Sequence, residues 1–200
     1  ELSTRKAIEI KPDLAEAHST LGNILNDLEK LQDAEFSYRK AIEIKPDLAE
    51  AHYNLGNILN DLGKLQDAEF STRKAIEIKP DLAEAHSNLG TILGDLDKSK
   101  EAALSYRKAI ELKPDYAEAH YNLGNILKEL GKLQEAELSI RKAIEIKPDF
   151  AEAHSSLGSI LKDLGKSKEA ELSYEEALNL DNTLDEAKAG IGKILLKTGK

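Results

Sequence analysis

A 34-residue internal period constrains this chain more than any other feature. Pro12, Pro46, Pro80, Pro114 and Pro148 recur at that spacing, as do His18, His52, His86, His120 and His154. Gly22, Gly56, Gly90, Gly124 and Gly158 do the same, and Gly192 continues the glycines without its proline. Residues 49–82 and 117–150 differ at six of 34 positions. Self-similarity at one fixed spacing marks a stacked array, in which each unit buries its apolar faces against neighbours rather than around a single core. The composition suits helices, since Ala, Leu, Glu and Lys are abundant and aromatics make up only 4%.

Each unit reads as two helices. From Ala49, the spacing of Ala51, Leu55, Ile58 and Leu62 makes one apolar face, with His52 and Leu59 beside it. Asp47 is the expected N-cap, and Glu50 three residues on completes a capping box. Gly63 suits the left-handed position that ends this helix. Leu65, Ala68, Thr72, Ala75, Ile76 and Ile78 form the apolar stripe of a second helix. Lys79-Pro80 stops it, because the residue before proline is pushed out of helical space. Ser99 and Ser167 replace Leu65 in two units and are expected to cap the second helix there. Gly56 and its equivalents are expected where two helix backbones approach closely.

Leu55-Gly56, Ala68, Ala75 and Pro80 stand at the signature positions of the tetratricopeptide repeat (TPR) family, which the whole chain resembles. The family's early Trp is His52 here and its mid-helix Tyr is Leu59, while its second-helix aromatic is Tyr38, Thr72, Tyr106, Ile140 and Tyr174 in successive units. The resemblance implies an all-α fold, a right-handed superhelical α-solenoid of antiparallel helix pairs. It places the repeats at 15–48, 49–82, 83–116, 117–150 and 151–184, with 1–14 a second helix alone and 185–200 a terminal first helix. The start looks cut inside a repeat. Asp181-Asn182, Glu175-Glu176 and Lys188 depart from the pattern as a solubilising cap does. Such regular arrays resemble those of bacterial, notably cyanobacterial, proteins and the TPR region of O-linked N-acetylglucosamine transferases.

The resemblance puts a ligand surface on the concave face, lined by first helices. There Glu50, Tyr53, Asn54, Asn57 and Asp61 share one polar stripe. Asn54, Asn88 and Asn122 form one column, with Thr20 and Ser156 at its ends; Asn23, Asn57 and Asn125 form a second, with Thr91 and Ser159. Each amide offers donors and an acceptor. A ladder of them can hold an extended peptide by its backbone, the role a similar column serves in those transferases. The plainer alternative is a solvated filler copied by duplication. Glu50, Glu84 and Glu118 line one edge and Asp61 and Asp95 another, so a neutral or basic segment is favoured. Lys and Arg are missing from the places where some TPR domains clamp a carboxylate. Tyr53 and Tyr121 replace the Ser of other repeats, either as contact anchors or as packing on a neighbouring helix.

Other chemistries find little support. The histidines lie one per repeat, about 8–10 Å or more apart, whereas a metal needs ligands about 2 Å from one point. They take the Trp place, so packing is the expected role and no metal or cofactor is implied. Arg5-Lys6, Arg39-Lys40, Arg73-Lys74, Arg107-Lys108 and Arg141-Lys142 make a basic column, but Glu1, Glu35, Glu69 and Glu137 precede the arginines by four residues, a pairing order. With a net charge of -9, nucleic-acid binding is not expected. No apolar run approaches the ~20 residues of a membrane span, and no leader is visible, so a cytoplasmic location is expected. No nucleophile, base and orienter converge, and no glycine-rich phosphate loop occurs. The expected function is therefore a non-catalytic scaffold binding an extended protein or peptide segment. The alternatives are the substrate-recognition segment of a larger enzyme such as a glycosyltransferase, and weak head-to-tail self-association through the terminal helices.

Overall fold

A computed structural model describes residues 1–198. Among the described residues there are twelve α-helices and no strand. They are α1 (Leu2–Ile10), α2 (Ala15–Asp27), α3 (Leu31–Ile44), α4 (Ala49–Asp61), α5 (Leu65–Ile78) and α6 (Ala83–Asp95), then α7 (Ser99–Leu112), α8 (Ala117–Glu129), α9 (Leu133–Ile146), α10 (Ala151–Asp163), α11 (Ser167–Leu180) and α12 (Asp185–Thr198). The chain divides into two compact units, Glu1–Lys98 and Ser99–Lys200. Within each, helices stack as antiparallel pairs, the α-solenoid arrangement: α2 on α3 and α4 on α5 in the first, α8 on α9 and α10 on α11 in the second. First helices also touch the next first helix, α2 to α4 and α4 to α6, α8 to α10 and α10 to α12.

Small residues set the closeness of each pair. Ala34 and Ala41 on α3, Ala68 and Ala75 on α5, and their equivalents on α9 and α11 have no exposed surface. First helices supply buried aliphatic side chains, Leu25, Ile58, Leu59 and Leu93 in one unit and Leu127, Ile160 and Leu161 in the other, while second helices supply Tyr38, Ile140 and Tyr174. Each such side chain contributes about 1.5–3 kcal/mol by leaving water. The core is thus a series of layers between helices.

The connectors correct several expectations. Neither Asp47 nor Glu50 caps α4: the N-cap is Leu48, with no side-chain cap hydrogen bond. The turn is closed by backbone instead, the Leu48 N–H donating to Lys45 O (3.3 Å) and the His52 N–H to Leu48 O (3.2 Å). Ser167 and Ser99 are the first residues inside α11 and α7, not caps; Lys166 holds the cap place of α11. Gly63 does adopt the left-handed conformation (φ 70°), with the Lys64 N–H reaching back to Leu59 O at 2.8 Å as in a Schellman ending. Glu29 (φ 57°) and Asp97 (φ 59°) hold the same conformation with a side chain attached. On the second helix, Ile78 is 38% exposed rather than buried, whereas Ser71, outside the expected stripe, is buried.

Backbone approaches two of the helix glycines, the Ala136 carbonyl lying 3.3 Å from a Cβ on Gly124 and the Thr72 nitrogen 3.4 Å from one on Gly56, but a side chain comes closer at both. A Cβ on Gly22 would sit 2.6 Å from the Tyr38 ring, and one on Gly124 2.6 Å from the end of the Ile140 side chain. On Gly158 it would meet Tyr174, and on Gly56 Thr72. The closest approach is therefore by the side chain sixteen residues later, laid across the glycine.

Ion pairs tie successive pairs together at the outer edge. Glu35, Glu69 and Glu137 have side chains only 13–16% exposed, and each holds two cations. Glu69 binds Lys98 (2.7 Å) and Arg73 (2.9 Å); Glu137 binds Lys166 (2.8 Å) and Arg141 (2.9 Å). The lysine hydrogen bond, joined by the arginine, holds both carboxyls below their usual range despite partial burial. A depressed carboxyl pKa stabilises the fold above the unfolded value, about 4.3, and that contribution is lost as pH falls through the folded value. The melting temperature is accordingly expected to drop between pH 5 and pH 3. In Glu69→Gln/Glu137→Gln that part of the drop should be smaller; an identical pH profile would contradict the role given to these pairs.

Candidate functional site

The polar stripes of the first helices come together through contacts invisible in the sequence. In the first unit, Asn54 Nδ2 donates to Asn23 Oδ1 at 3.0 Å, and Asn88 Nδ2 donates to Asn57 Oδ1. Thus a residue of one asparagine column binds the other column's residue in the preceding helix pair. The amides are held in fixed orientation and partly consumed by each other. An amide has two N–H donors and an oxygen with two lone pairs, so each retains hydrogen-bonding capacity beyond its pair.

Second-helix tyrosines reach the same stripe from behind. The Tyr38 hydroxyl donates to Asn23 Oδ1 at 2.7 Å, passing over Gly22. Burial, reinforced by the Asp27 and Glu50 carboxylates, pushes its pKa up to about 12, so it remains a donor at any ordinary pH. Tyr174 repeats the arrangement in the second unit, its ring between Gly158 and Gly190 and its hydroxyl engaged with Ser159. Its pKa is also raised, by burial first and then by Glu186 and Asp163. Sequence reasoning misses this supporting layer; the signal is an aromatic sixteen residues after the glycine.

The remaining expected residues fall as follows. Tyr53, Asn54 and Asn57 on α4 are half-buried, Glu50 and Asp61 exposed; on α6, Glu84 and Asn88 are half-buried and Asp95 exposed. On α8, Tyr121, Asn122 and Asn125 are half-buried and Glu118 exposed. Tyr121 is packed against Phe150, ring centroids 4.8 Å apart, so it is a held side chain rather than a free anchor. The glutamate edge is partly neutralised, because Lys45 binds Glu16 (3.1 Å) and Lys147 lies 3.9 Å from Glu118.

In the second unit the stripe opens into a groove of about 540 Å³. It is lined by Tyr121, Asn125 and Lys128 of α8, Ser156 and Asp163 of α10, and Glu186 of α12. Lys128 donates to Ser159 Oγ at 2.7 Å, so it spans α8 and α10 on the groove wall. With Glu129, three carboxylates there face one ammonium, a net negative surface. Neither Lys128 nor Glu186 stands out in the sequence.

The histidines prove to be loop ties. In all five, Nε2 lies 2.9–3.0 Å from the carbonyl of the proline six residues earlier, an N–H donor closing the Pro-Asp turn. Among the described residues no group of His, Cys, Asp or Glu could hold a metal ion, and no helix is long and apolar enough to cross a membrane.

Comparison with known proteins agrees with this architecture. Residues 22–63 and 92–131 match the family model described as TPR repeat, while 49–82, 117–150 and 151–184 match models described as tetratricopeptide repeat. The fold is similar to the crystal structure of YrrB, a TPR protein with an unusual peptide-binding site, with a TM-score of 0.77 and 25% identity over 93% of this chain and 96% of that one. MamA is similar too, with a TM-score of 0.75 and 28% identity over 81% of this chain and 95% of its own. TTC0263, a thermophilic TPR protein of Thermus thermophilus, shares the fold at a TM-score of 0.70 and 22% identity, over 91% of this chain and 99% of that one. Comparison with curated proteins gave no match. With the 34-residue period, the glycine-packed helix pairs and these family matches together, the chain belongs to the tetratricopeptide repeat family.

Proposed function

We propose that this protein is a non-catalytic scaffold that binds an extended, neutral or basic polypeptide segment along its first-helix face. Membership of the family carries a protein-interaction role in general terms. The finer reading rests on one observation, the paired asparagines Asn23–Asn54 and Asn57–Asn88. Amides locked in place lose little freedom when a peptide backbone binds, so more of each hydrogen bond appears as affinity. The negative groove around Asn125, Asp163 and Glu186 supports a preference against acidic segments. The similarity to YrrB, itself a TPR protein with a peptide-binding site, points the same way.

The test is a peptide array of neutral, basic and acidic extended sequences, followed by titration of the best binder. Asn54→Ala, Asn88→Ala and Asn122→Ala each remove about one hydrogen bond, worth ~1 kcal/mol or roughly fivefold in affinity. The triple variant is expected to lose about 100-fold on the same scale. Undiminished binding by a triple variant with an unchanged circular dichroism spectrum would remove the amide-ladder reading.

A further inference from the structure

Each second helix turns a bulky apolar side chain well outward at the repeat period. Leu2, Phe36, Phe70, Leu104, Leu138 and Leu172 are between 64% and 71% exposed. Isolated exposed apolar residues are ordinary. Here two of them border grooves of the same build, one in each unit. In the first, Phe36 of α3 stands across from Ile8 of α1, over His18 and Leu21 of α2, around a volume of about 290 Å³. In the second, Leu172 of α11 stands across from Ile144 of α9, over His154 and Leu157 of α10, around about 400 Å³. The lining places correspond four periods apart, so the groove is a property of the repeat. Its floor is firm, since both histidines are tied to proline carbonyls at 2.9 Å.

Charge separates the two grooves. Beside Phe36, α3 carries Arg39 and Lys40, with Lys40 paired to Glu43 at 2.6 Å. On α11 the same two places are Glu175 and Glu176. That helix carries Glu169, Glu171, Glu175 and Glu176 against Lys168 alone. Glu145, which binds Lys142 at 2.8 Å, and Glu176 border the groove; the one cation lining it, Arg141, is already bound to Glu137 (2.9 Å) and Glu169 (3.3 Å).

We propose that the groove between α9, α10 and α11 docks an amphipathic basic segment of a protein partner. A bulky apolar side chain would sit among Ile144, Leu157 and Leu172, with a flanking lysine or arginine against Glu176. Apolar burial supplies the attraction and the acidic rim selects the sign of the partner. This site uses none of the residues of the first-helix face and stands independently of it.

The probe is a fluorescein-labelled peptide of Leu and Lys in amphipathic order, about 14 residues or four helical turns. A second peptide has Glu in place of Lys. Fluorescence anisotropy at about 0.15 M salt suppresses long-range attraction to the acidic chain. The Leu/Lys peptide is expected to bind and the Leu/Glu peptide not. Leu172→Ser and Glu176→Lys should each weaken binding at least tenfold, whereas Leu172→Met retains it. Phe36→Ser, in the groove with its basic pair intact, should leave affinity unchanged. Unaltered binding by Leu172→Ser, or an equal loss with Phe36→Ser, overturns the proposal. Loss in the Asn54→Ala/Asn88→Ala/Asn122→Ala protein would also overturn it by placing the peptide on the other face. Sedimentation showing that Leu172→Ser dissolves a self-associated species, without altering peptide binding, would assign the groove to a second copy instead.

Discussion

Gly124→Leu is expected to lower the melting temperature by about 10 °C or more, while Gly192→Leu leaves it unchanged or raises it slightly. The first Cβ atom alone would lie 2.6 Å from two carbons of Ile140 and 3.3 Å from the Ala136 carbonyl. Ile140 has no exposed surface and cannot swing aside without entering the core of the α8–α9 pair. Overpacking of this kind costs about 1–3 kcal/mol when side chains can adjust, and more when backbones must part. The leucine recovers roughly 0.8 kcal/mol of helix propensity over glycine, too little to offset that. Because a stacked array depends on nearest-neighbour interfaces, loss of one interface weakens the unit on both sides of it. Gly192 occupies the same place in the period, but a Cβ there meets nothing within 4 Å. The two variants therefore make the same chemical change with and without the steric contact. Equal melting temperatures would show that the side chain laid across the glycine does not govern packing.

That contact illustrates where reading the sequence stops. The period and the apolar stripes specify helix pairs, and Gly63 announces its left-handed turn, because these depend on residues within one unit. The identity of what presses on Gly124 depends on how two helices cross, a relation between residues sixteen apart that no local pattern encodes. Asp47 misleads for a related reason. Its side chain is a good cap in isolation, but the turn already spends its backbone donors on Lys45 and Leu48, and the His52 ring closes the loop from the other side. Capping by a side chain is then redundant.

The candidate face is legible only in part. The asparagines stand out as columns, yet their pairing across 31 residues comes from the stacking of α2 on α4 and of α4 on α6. Tyr38 reads as a core aromatic, and it is one, but its hydroxyl emerges on the polar side to hold Asn23. The outward column is hidden because Phe36, Phe70 and Leu104 look like core by residue type. Helix periodicity alone tolerates either face when apolar residues are this frequent. Ile78 reads as core on the same grounds, while the exposed Phe70 goes unmarked.

Thr72→Tyr is expected to stabilise the first unit by about 2–3 kcal/mol, for which two separate terms are responsible. Thr72 is fully buried, and its hydroxyl has no hydrogen-bond partner among the described residues. Removing such an orphan returns ~1 kcal/mol or somewhat more. The equivalent places hold Tyr38 and Tyr174, 2% and 1% exposed, each lying over the glycine of its own pair. A ring at position 72 would lie over Gly56 in the same way and add apolar burial worth roughly 1.5 kcal/mol or more. Its hydroxyl would fall near Asn57, as that of Tyr38 does near Asn23, and brace the amide that accepts from Asn88. Thr72→Val separates the terms, since it removes the hydroxyl without filling the space. The expected order of melting temperatures is Tyr above Val above the parent, with Tyr higher by about 5–10 °C. If Val raises the temperature and Tyr lowers it, the α4–α5 pair has closed around threonine and lacks the room that the α2–α3 and α10–α11 pairs give to their tyrosines. Because the bracing acts on Asn57, the same variant should also tighten binding of the peptide selected on the array. Stabilisation without any gain in affinity would separate the packing role of these tyrosines from the binding face they adjoin.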